Sequence, residues 1–311
     1  MTTPVIETRG LVKRYGAATA VGGIDLSISA GEIFGLLGPN GAGKTTTILM
    51  LLGLIEPSAG TIRVLGHDPV TEPLAVKHRI GYMPDSLGFY DNMTARENLR
   101  YSARLAGLRA AQAEARIDEA LARVRLADVA HKKAGTYSHG MKQRLGLAEV
   151  LIKQPEVAIL DEPTSGLDPQ STTEFLDLIR DLRASGIAVL LSSHLLERVQ
   201  TVCDRVALFN GGKIALQGSV AELGRTVLGA GGIILIEAEG VTAAQISAMP
   251  GVSGLVEEKP RQFRVRAERS AAPDVARAIM QAGGRLYRLT TVEPSLDEIY
   301  NRYFEGVRHA A

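Results

Sequence analysis

Cysteine is nearly absent: Cys203 is the single one in 311 residues, which excludes an internal disulfide. Its setting, QTVCDRV, offers no partner spaced for a metal site, so it reads as a buried spectator rather than a reactive thiol. An excess of either charge is missing too. Lys and Arg number 35 against 34 Asp and Glu, a formal net charge of +1, and short basic pairs such as Lys132 and Lys133 read as solvated surface, so no nucleic-acid partner is expected. Long hydrophobic runs are also lacking. None reaches the roughly 18 uncharged residues that a bilayer span requires, and the opening MTTPVIETRG has no apolar signal core. The chain is therefore expected in the cytosol, reaching a membrane only through another chain. There is no internal repeat clear enough to use.

What is present alternates strand and helix. Apolar strands are expected around Ile6 to Leu11 and Ile24 to Ile28, then EIFGLLG runs through glycines into the helix-forming KTTTILMLLGLI. From NMTARENLRYSARLAG to about Val129 the pattern is nearly all helix, with Thr94 and Glu97 at capping-box spacing. Ser138 caps a further helix that leads to the short strand of PEVAILDEP. After TSGLDP, where Asp168 caps and Pro169 takes the first helical position, come a helix to about Leu182, the strand IAVLLSSH and a helix through Val202. Such alternation favours a mainly parallel sheet with helices on both faces. RVALFNGGKIALQG reads as a closing hairpin.

Glycines in GRTVLGAGG mark a boundary, with a linker expected over 223–232. Beyond it, IILIEAE, TAAQISAM, VSGLVEE, QFRVRAE, PDVARAIMQAG and RLYRLTT give the β-α-β-β-α-β order of a small ferredoxin-like α+β domain over 233–311. A last helix carries Tyr300, Tyr303 and Phe304, expected to dock on that sheet.

The chemistry starts at GPNGAGKT. It matches the phosphate-loop pattern, follows an apolar strand and opens a helix. Gly38, Pro39, Asn40, Gly41, Ala42 and Gly43 supply a loop whose backbone N–H groups converge on a β-phosphate, reinforced by the helix N-terminus that continues through Thr46. Lys44 reaches the β- and γ-phosphates and Thr45 offers a hydroxyl to Mg²⁺. In VAILDE, Asp161 at the strand mouth completes a Mg²⁺ shell through water, and Glu162 polarises an attacking water. His194 ends another strand. Spacing alone leaves it open between a contact to the γ-phosphate or the water and ordinary packing or a cap.

Together these stretches resemble the ATP-binding subunit of an ABC transporter. YSHGMKQRLGLAEVLIKQPEVAILDEPTSGLDP looks like the family's signature helix running into its acidic strand and Asp-bearing loop. The resemblance covers roughly Val5 to Gly218 and implies an α/β P-loop NTPase of ABC type over 1–222, with a helical subdomain at about 87–150. It implies ATP and Mg²⁺ as cofactors, a second copy in a head-to-tail dimer and a separate transmembrane permease. In such a pair Ser138 and Gly140 bind the γ-phosphate held by the other copy. Tyr15 is assigned to stacking on adenine, Asp168 to communication across the dimer and His194 to the switch position.

The chain departs from the family pattern in places. The usual LSGGQ opening is YSHGM here, with Tyr137, His139 and Met141 as the departures. Tyr137 and Met141 look like the variant of ATPases paired with export-type (ABC-2-like) permeases. In IGYMPDS the family commonly has Gln where Asp85 stands; a carboxylate still serves as an oxygen ligand, so Asp85 is kept as a coupling-loop residue and metal contact. The expected activity is ATP hydrolysis driving export of a drug, lipid, antibiotic or similar small molecule. The alternatives are a soluble mechanical ATPase acting in translation or DNA maintenance, and a P-loop small-molecule kinase. The C-terminal module resembles accessory domains of drug, lipid or antibiotic export ATPases and offers no convergent acids of its own.

Overall fold

The computed structural model of the chain describes residues 4–228, 231–249, 251–268, 271–292 and 295–310. The chain divides between Gln217 and Gly218 into two compact units.

In the first unit, β1 (Ile6–Tyr15) and β2 (Ala18–Ile28) pair antiparallel, and both are longer than the apolar runs alone predict. Their inward residues, among them Ile6, Leu11, Ile24 and Leu26, are buried while the alternating positions meet solvent, as a one-sided antiparallel sheet requires. β3 (Ile33–Leu37) then feeds α1 (Lys44–Leu51), and β4 (Ala59–Val64) returns to pair with β1, giving the order β2-β1-β4. After α2 (Pro73–Lys77) and β5 (Ile80–Met83) come the helices α3 (Ala95–Leu105), α4 (Ala110–Arg123) and α5 (His139–Leu151).

The rest of the unit is β6 (Val157–Leu160), α6 (Pro169–Ala184), β7 (Ala188–Ser193), α7 (Leu196–Val199), β8 (Arg205–Asn210) and β9 (Lys213–Gly218). The second sheet runs β5-β6-β7-β3-β8-β9, and its pairs from β5 to β8 are parallel. Every residue of β3, β6 and β7 is buried, the pattern of strands covered on both faces. Phe34, Ile48, Ile62, Leu190 and Phe209 belong to one core cluster that draws on both sheets. Each such side chain contributes about 1.5–3 kcal/mol on burial, so the loops at the strand ends rest on a rigid base.

The capping box at α3 is formed: Thr94 Oγ1 accepts from the Glu97 N–H at 3.2 Å, and Glu97 Oε2 accepts from the Thr94 N–H at 2.7 Å. Arg96 and Arg100 reach Glu114 at 3.0 and 2.9 Å, so charge pairs tie α3 to α4. α7 stops earlier than expected. Asp204 must receive the Ile33 N–H on its carboxylate at 2.9 Å and give its own N–H to the Ile33 carbonyl at 2.8 Å, which turns the chain into β8.

The second unit contains α8 (Val220–Leu228), β10 (Gly231–Glu239), α9 (Ala243–Ser247), β11 (Val252–Lys259), β12 (Gln262–Glu268), α10 (Ala272–Gln281), β13 (Arg285–Val292) and α11 (Leu296–Ala310). Its sheet runs β11-β12-β10-β13, with each neighbouring pair antiparallel, on the expected β-α-β-β-α-β order. Ile234, Ile236, Phe263 and Val265 pack with Ile246, Val275 and Ile279 from the helices. Arg264, on the alternate positions of β12, pairs with Glu298 of α11. Residues 223–228 of the expected linker are helical instead, because Ser219 and Glu222 cap α8 reciprocally at 2.8 and 3.3 Å. Gly229 and Ala230 lie outside the described residues. Tyr300, Tyr303 and Phe304 are half-buried and cluster with one another, while Leu296 and Ile299 of α11 are fully buried.

Candidate functional site

The phosphate loop leaves β3 between β7 and β8, its two parallel neighbours. Gly38 gives its N–H to the Ser193 carbonyl at 3.2 Å. A Cβ there would fall 2.3 Å from the Phe209 carbonyl oxygen, and one at Gly43, where φ is +104°, would fall 2.6 Å from that of Ala20. Only glycine fits such approaches. The tip of the β8–β9 hairpin supports the loop from outside: Gly212 donates its N–H to the Ala42 carbonyl at 3.1 Å and accepts the Gly22 N–H at 2.8 Å. In the sequence this hairpin is legible only as a domain end. Pro39, Asn40 and Gly41 form an exposed rim, with Ala42, Gly43 and Lys44 buried behind it, Thr45 exposed and Thr46 half-buried.

Lys44 Nζ donates to the Gly38 carbonyl at 2.7 Å and lies 3.2 Å from Glu162 Oε1. Thr45 Oγ1 donates to Asp161 Oδ1 at 3.4 Å. Asp161 is only 2% exposed. Burial raises its pKa above the ordinary carboxylate range, hydrogen bonds from Ser192 and Thr45 pull it down, and the charges of Glu162 and Asp85 push it further up.

Glu162 takes φ of +48°, a region uncommon outside glycine. Its N–H donates to Ser192 Oγ at 2.8 Å, and its Oε2 accepts from the His194 N–H at 3.3 Å and meets His194 Nδ1 at 2.7 Å. An ionised carboxylate only accepts, so Nδ1 carries the proton in this pair. Glu162 thus stands between Lys44 and His194. Asp85 follows β5 and is exposed; its charge reaches Asp161 and Tyr82, whose phenol is pushed up to about 12 chiefly by burial.

The signature residues gather elsewhere. Ser138 caps α5 by accepting the Met141 N–H at 3.2 Å, and Gly140 is so close to helix α6 that a Cβ would fall 3.1 Å from Ser171 Oγ. His139 Nε2 lies 2.9 Å from the Ser165 carbonyl oxygen. Asp168 caps α6, accepting the Ser171 N–H at 2.9 Å and the Ser171 hydroxyl at 2.7 Å. Those hydrogen bonds hold its carboxyl below the usual range. Among the described residues no hydrogen bond or ion pair joins Ser138, His139 or Gly140 to the phosphate loop. Tyr137 fills a buried site and donates its hydroxyl to the Val129 carbonyl at 2.8 Å, a local reason for its departure from leucine. Tyr15, at the end of β1, is 52% exposed and has the Lys13 ammonium 5.0 Å from its ring centre. A planar ring could stack there.

Residues 21–165 match the family model described as ABC transporter, and residues 218–304 match one described as ATP-binding protein DrrA1-3-like, C-terminal domain. The chain is 37% identical, over 96% of both chains, to the daunorubicin resistance ATP-binding protein DrrA3 of Streptomyces coeruleorubidus. The chain belongs to the ATP-binding subunits of ABC transporters. It is also 34% identical, over 95% of its length and 97% of the relative's, to the linearmycin resistance ATP-binding protein LnrL of Bacillus subtilis (strain 168). Among solved structures, an ATP-binding subunit of an ABC transporter superposes with a TM-score of 0.65 at 30% identity, covering 72% of this chain and 94% of that one. As a member of the export type, this subunit is an ATPase that works with a membrane permease. Among the described residues no helix is long and apolar enough to cross a membrane.

Proposed function

We propose that the chain hydrolyses ATP with Mg²⁺ as one half of a head-to-tail pair of identical copies, held on the inner face of the cell membrane by its permease. The cycle drives outward movement of a drug, antibiotic, lipid or similar small molecule. The substrate class is supported by relatives whose names record resistance to daunorubicin and linearmycin and transport of bacitracin.

The observation that carries the reading is the placement of Glu162, with Lys44 Nζ 3.2 Å from one carboxylate oxygen and His194 Nδ1 2.7 Å from the other. A base so held is oriented toward the loop, where it can accept a proton from water. The close approaches of Gly38 to the Phe209 carbonyl and of Gly43 to the Ala20 carbonyl fix the loop in a shape whose N–H groups can converge on a phosphate. Thr45 and Asp161 fit Mg²⁺: both offer hard oxygens, they converge at 3.4 Å, and Mg²⁺ takes only one or two such protein ligands beside phosphate and water. Bound there, Mg²⁺ supplies charge neutralisation on the phosphate oxygens. Asp85 lies on the same side and adds a further carboxylate oxygen to the metal's surroundings.

Lys44 exchanges its contact with Glu162 for a phosphate and stabilises the charge that develops there. His194 keeps Glu162 turned toward the reacting water. Tyr15 stacks on adenine. The exposed cap at Ser138, with Gly140 beside it, presents the N-terminus of α5 to the γ-phosphate held by the other copy, and Asp168 lies on the adjoining loop, at the contact between copies.

The test is transport. Expressed with its permease, the chain should lower cell accumulation of a daunorubicin- or peptide-antibiotic-class compound in an ATP-dependent manner, and Glu162→Gln should abolish that. Unchanged accumulation across such a panel, with hydrolysis intact, would defeat the substrate assignment alone.

A further inference from the structure

We infer that Ser192 is a positioning residue of the ATPase site, a buried hydroxyl that orients both acids of the neighbouring strand end. The inference deepens the reading above and rests on the roles proposed there for Asp161 and Glu162.

β7 lies between β6 and β3, with Leu160 opposite Leu191 and Leu36 opposite Ser192. Ser192 therefore sits between the strand that ends in the two acids and the strand that ends in the phosphate loop. It is fully buried, at 0% exposure, in a strand whose earlier residues, Ala188 to Leu191, are all apolar. A buried hydroxyl in such a strand needs partners, and both it finds are on the acids. Its Oγ donates to Asp161 Oδ1 and accepts the Glu162 N–H at 2.8 Å.

The two bonds do different things. A hydroxyl has one proton, and here it goes to the more deeply buried carboxylate, which turns Oδ1 to the side from which Thr45 also approaches. The bond from Glu162 fixes a backbone, not a side chain. Glu162 is held at φ of +48°, a conformation that persists only where surrounding contacts enforce it, and that conformation sends its carboxylate between Lys44 and His194. Neighbouring Ser193 does neither. Its hydroxyl accepts the Leu195 N–H at 3.0 Å, and its carbonyl holds the Gly38 N–H. Loss of the Ser192 hydroxyl thus loosens metal ligand and base together and leaves the phosphate loop in place.

The experiment compares Ser192→Val with Ser192→Thr, which have the same shape and differ by the hydroxyl, with Ser192→Ala as a smaller control. Thermal unfolding establishes that each variant folds. At saturating Mg²⁺–ATP, Ser192→Val and Ser192→Ala should lower kcat by about tenfold, the scale of one lost hydrogen bond to a charged group, and Ser192→Thr should restore most of it. Affinity for a fluorescent ATP analogue in EDTA should be unchanged in all three. The gain in affinity on adding Mg²⁺ should shrink in Ser192→Val and not in Ser192→Thr. Wild-type kcat in Ser192→Val, or equal losses in the Val and Thr variants, would overturn the inference. Glu162→Gln measured alongside separates the two claims: rapid turnover there defeats the assignment of the acid, whereas an inactive Glu162→Gln with a fully active Ser192→Val defeats only the positioning role.

Discussion

His139 Nε2 lies 2.9 Å from the Ser165 carbonyl oxygen, so the signature helix holds the loop that descends from Glu162. A carbonyl only accepts, so Nε2 carries the proton. Ser165 in turn donates its N–H to the Glu162 carbonyl at 3.0 Å, which links the residue beside Ser138 to the acid within one chain. His139, a departure from the LSGGQ opening, therefore carries a structural tie.

That tie predicts a graded series at His139. His139→Leu removes the donor, and His139→Gln keeps an N–H that can reach the same oxygen. One neutral hydrogen bond is worth roughly 0.5–1.5 kcal/mol, so phosphate release at saturating ATP should slow by about three- to tenfold in the Leu variant. The Gln variant should fall between it and the wild type. Equal rates in all three would show that the tie does not reach the acid.

Ser138 is predicted to act on the pair and not on the single chain. Ser138→Arg puts a bulky side chain at the exposed cap of α5, at a cost of about 1 kcal/mol for the lost cap. ATP binding by the isolated chain should be unaffected, and ATP-driven pairing, read by light scattering in a Glu162→Gln background, should be lost. Pairing that survives would place the signature away from the interface.

Asp161 is predicted to cost stability. Because burial raises its pKa above the ordinary value, the fold favours the protonated form. The stability this form gives is present at low pH and is lost as pH rises through the raised pKa. Asn imitates the protonated state. In EDTA at neutral pH, Asp161→Asn should raise Tm by a few degrees, on the order of 1 kcal/mol, while turnover with Mg²⁺ falls steeply. The difference in Tm should narrow as pH is lowered into the carboxylate range. A lower Tm at neutral pH would contradict the burial argument.

What the sequence disclosed and what it hid follow from locality. GPNGAGKT, the Asp161–Glu162 pair and the caps at Thr94, Ser138 and Asp168 are each written within a few residues, so their backbone consequences could be read directly. Ser192 could not be read that way. Its partners Asp161 and Glu162 stand 31 and 30 residues away, and only the parallel register of β6 and β7 brings them together. The one available signal was a pair of serines closing an otherwise apolar strand. Gly212 was hidden for the same reason, since the hairpin must fold back before it can meet Ala42. The helix at Val220–Leu228 is hidden because Gly224 belongs to a glycine-rich stretch, while the Ser219–Glu222 pair that caps the helix lies ahead of that stretch.

Glu162 is the residue that Lys44, His194 and Ser192 all hold. The measurement is ATP turnover and pairing of Glu162→Gln at saturating Mg²⁺–ATP, by phosphate release and light scattering on the same preparation. Turnover should fall by about 10²–10⁴-fold, the range for a lost general base, while ATP still binds and the copies accumulate as a nucleotide-bound pair. Turnover close to wild type in that variant would contradict this role for Glu162.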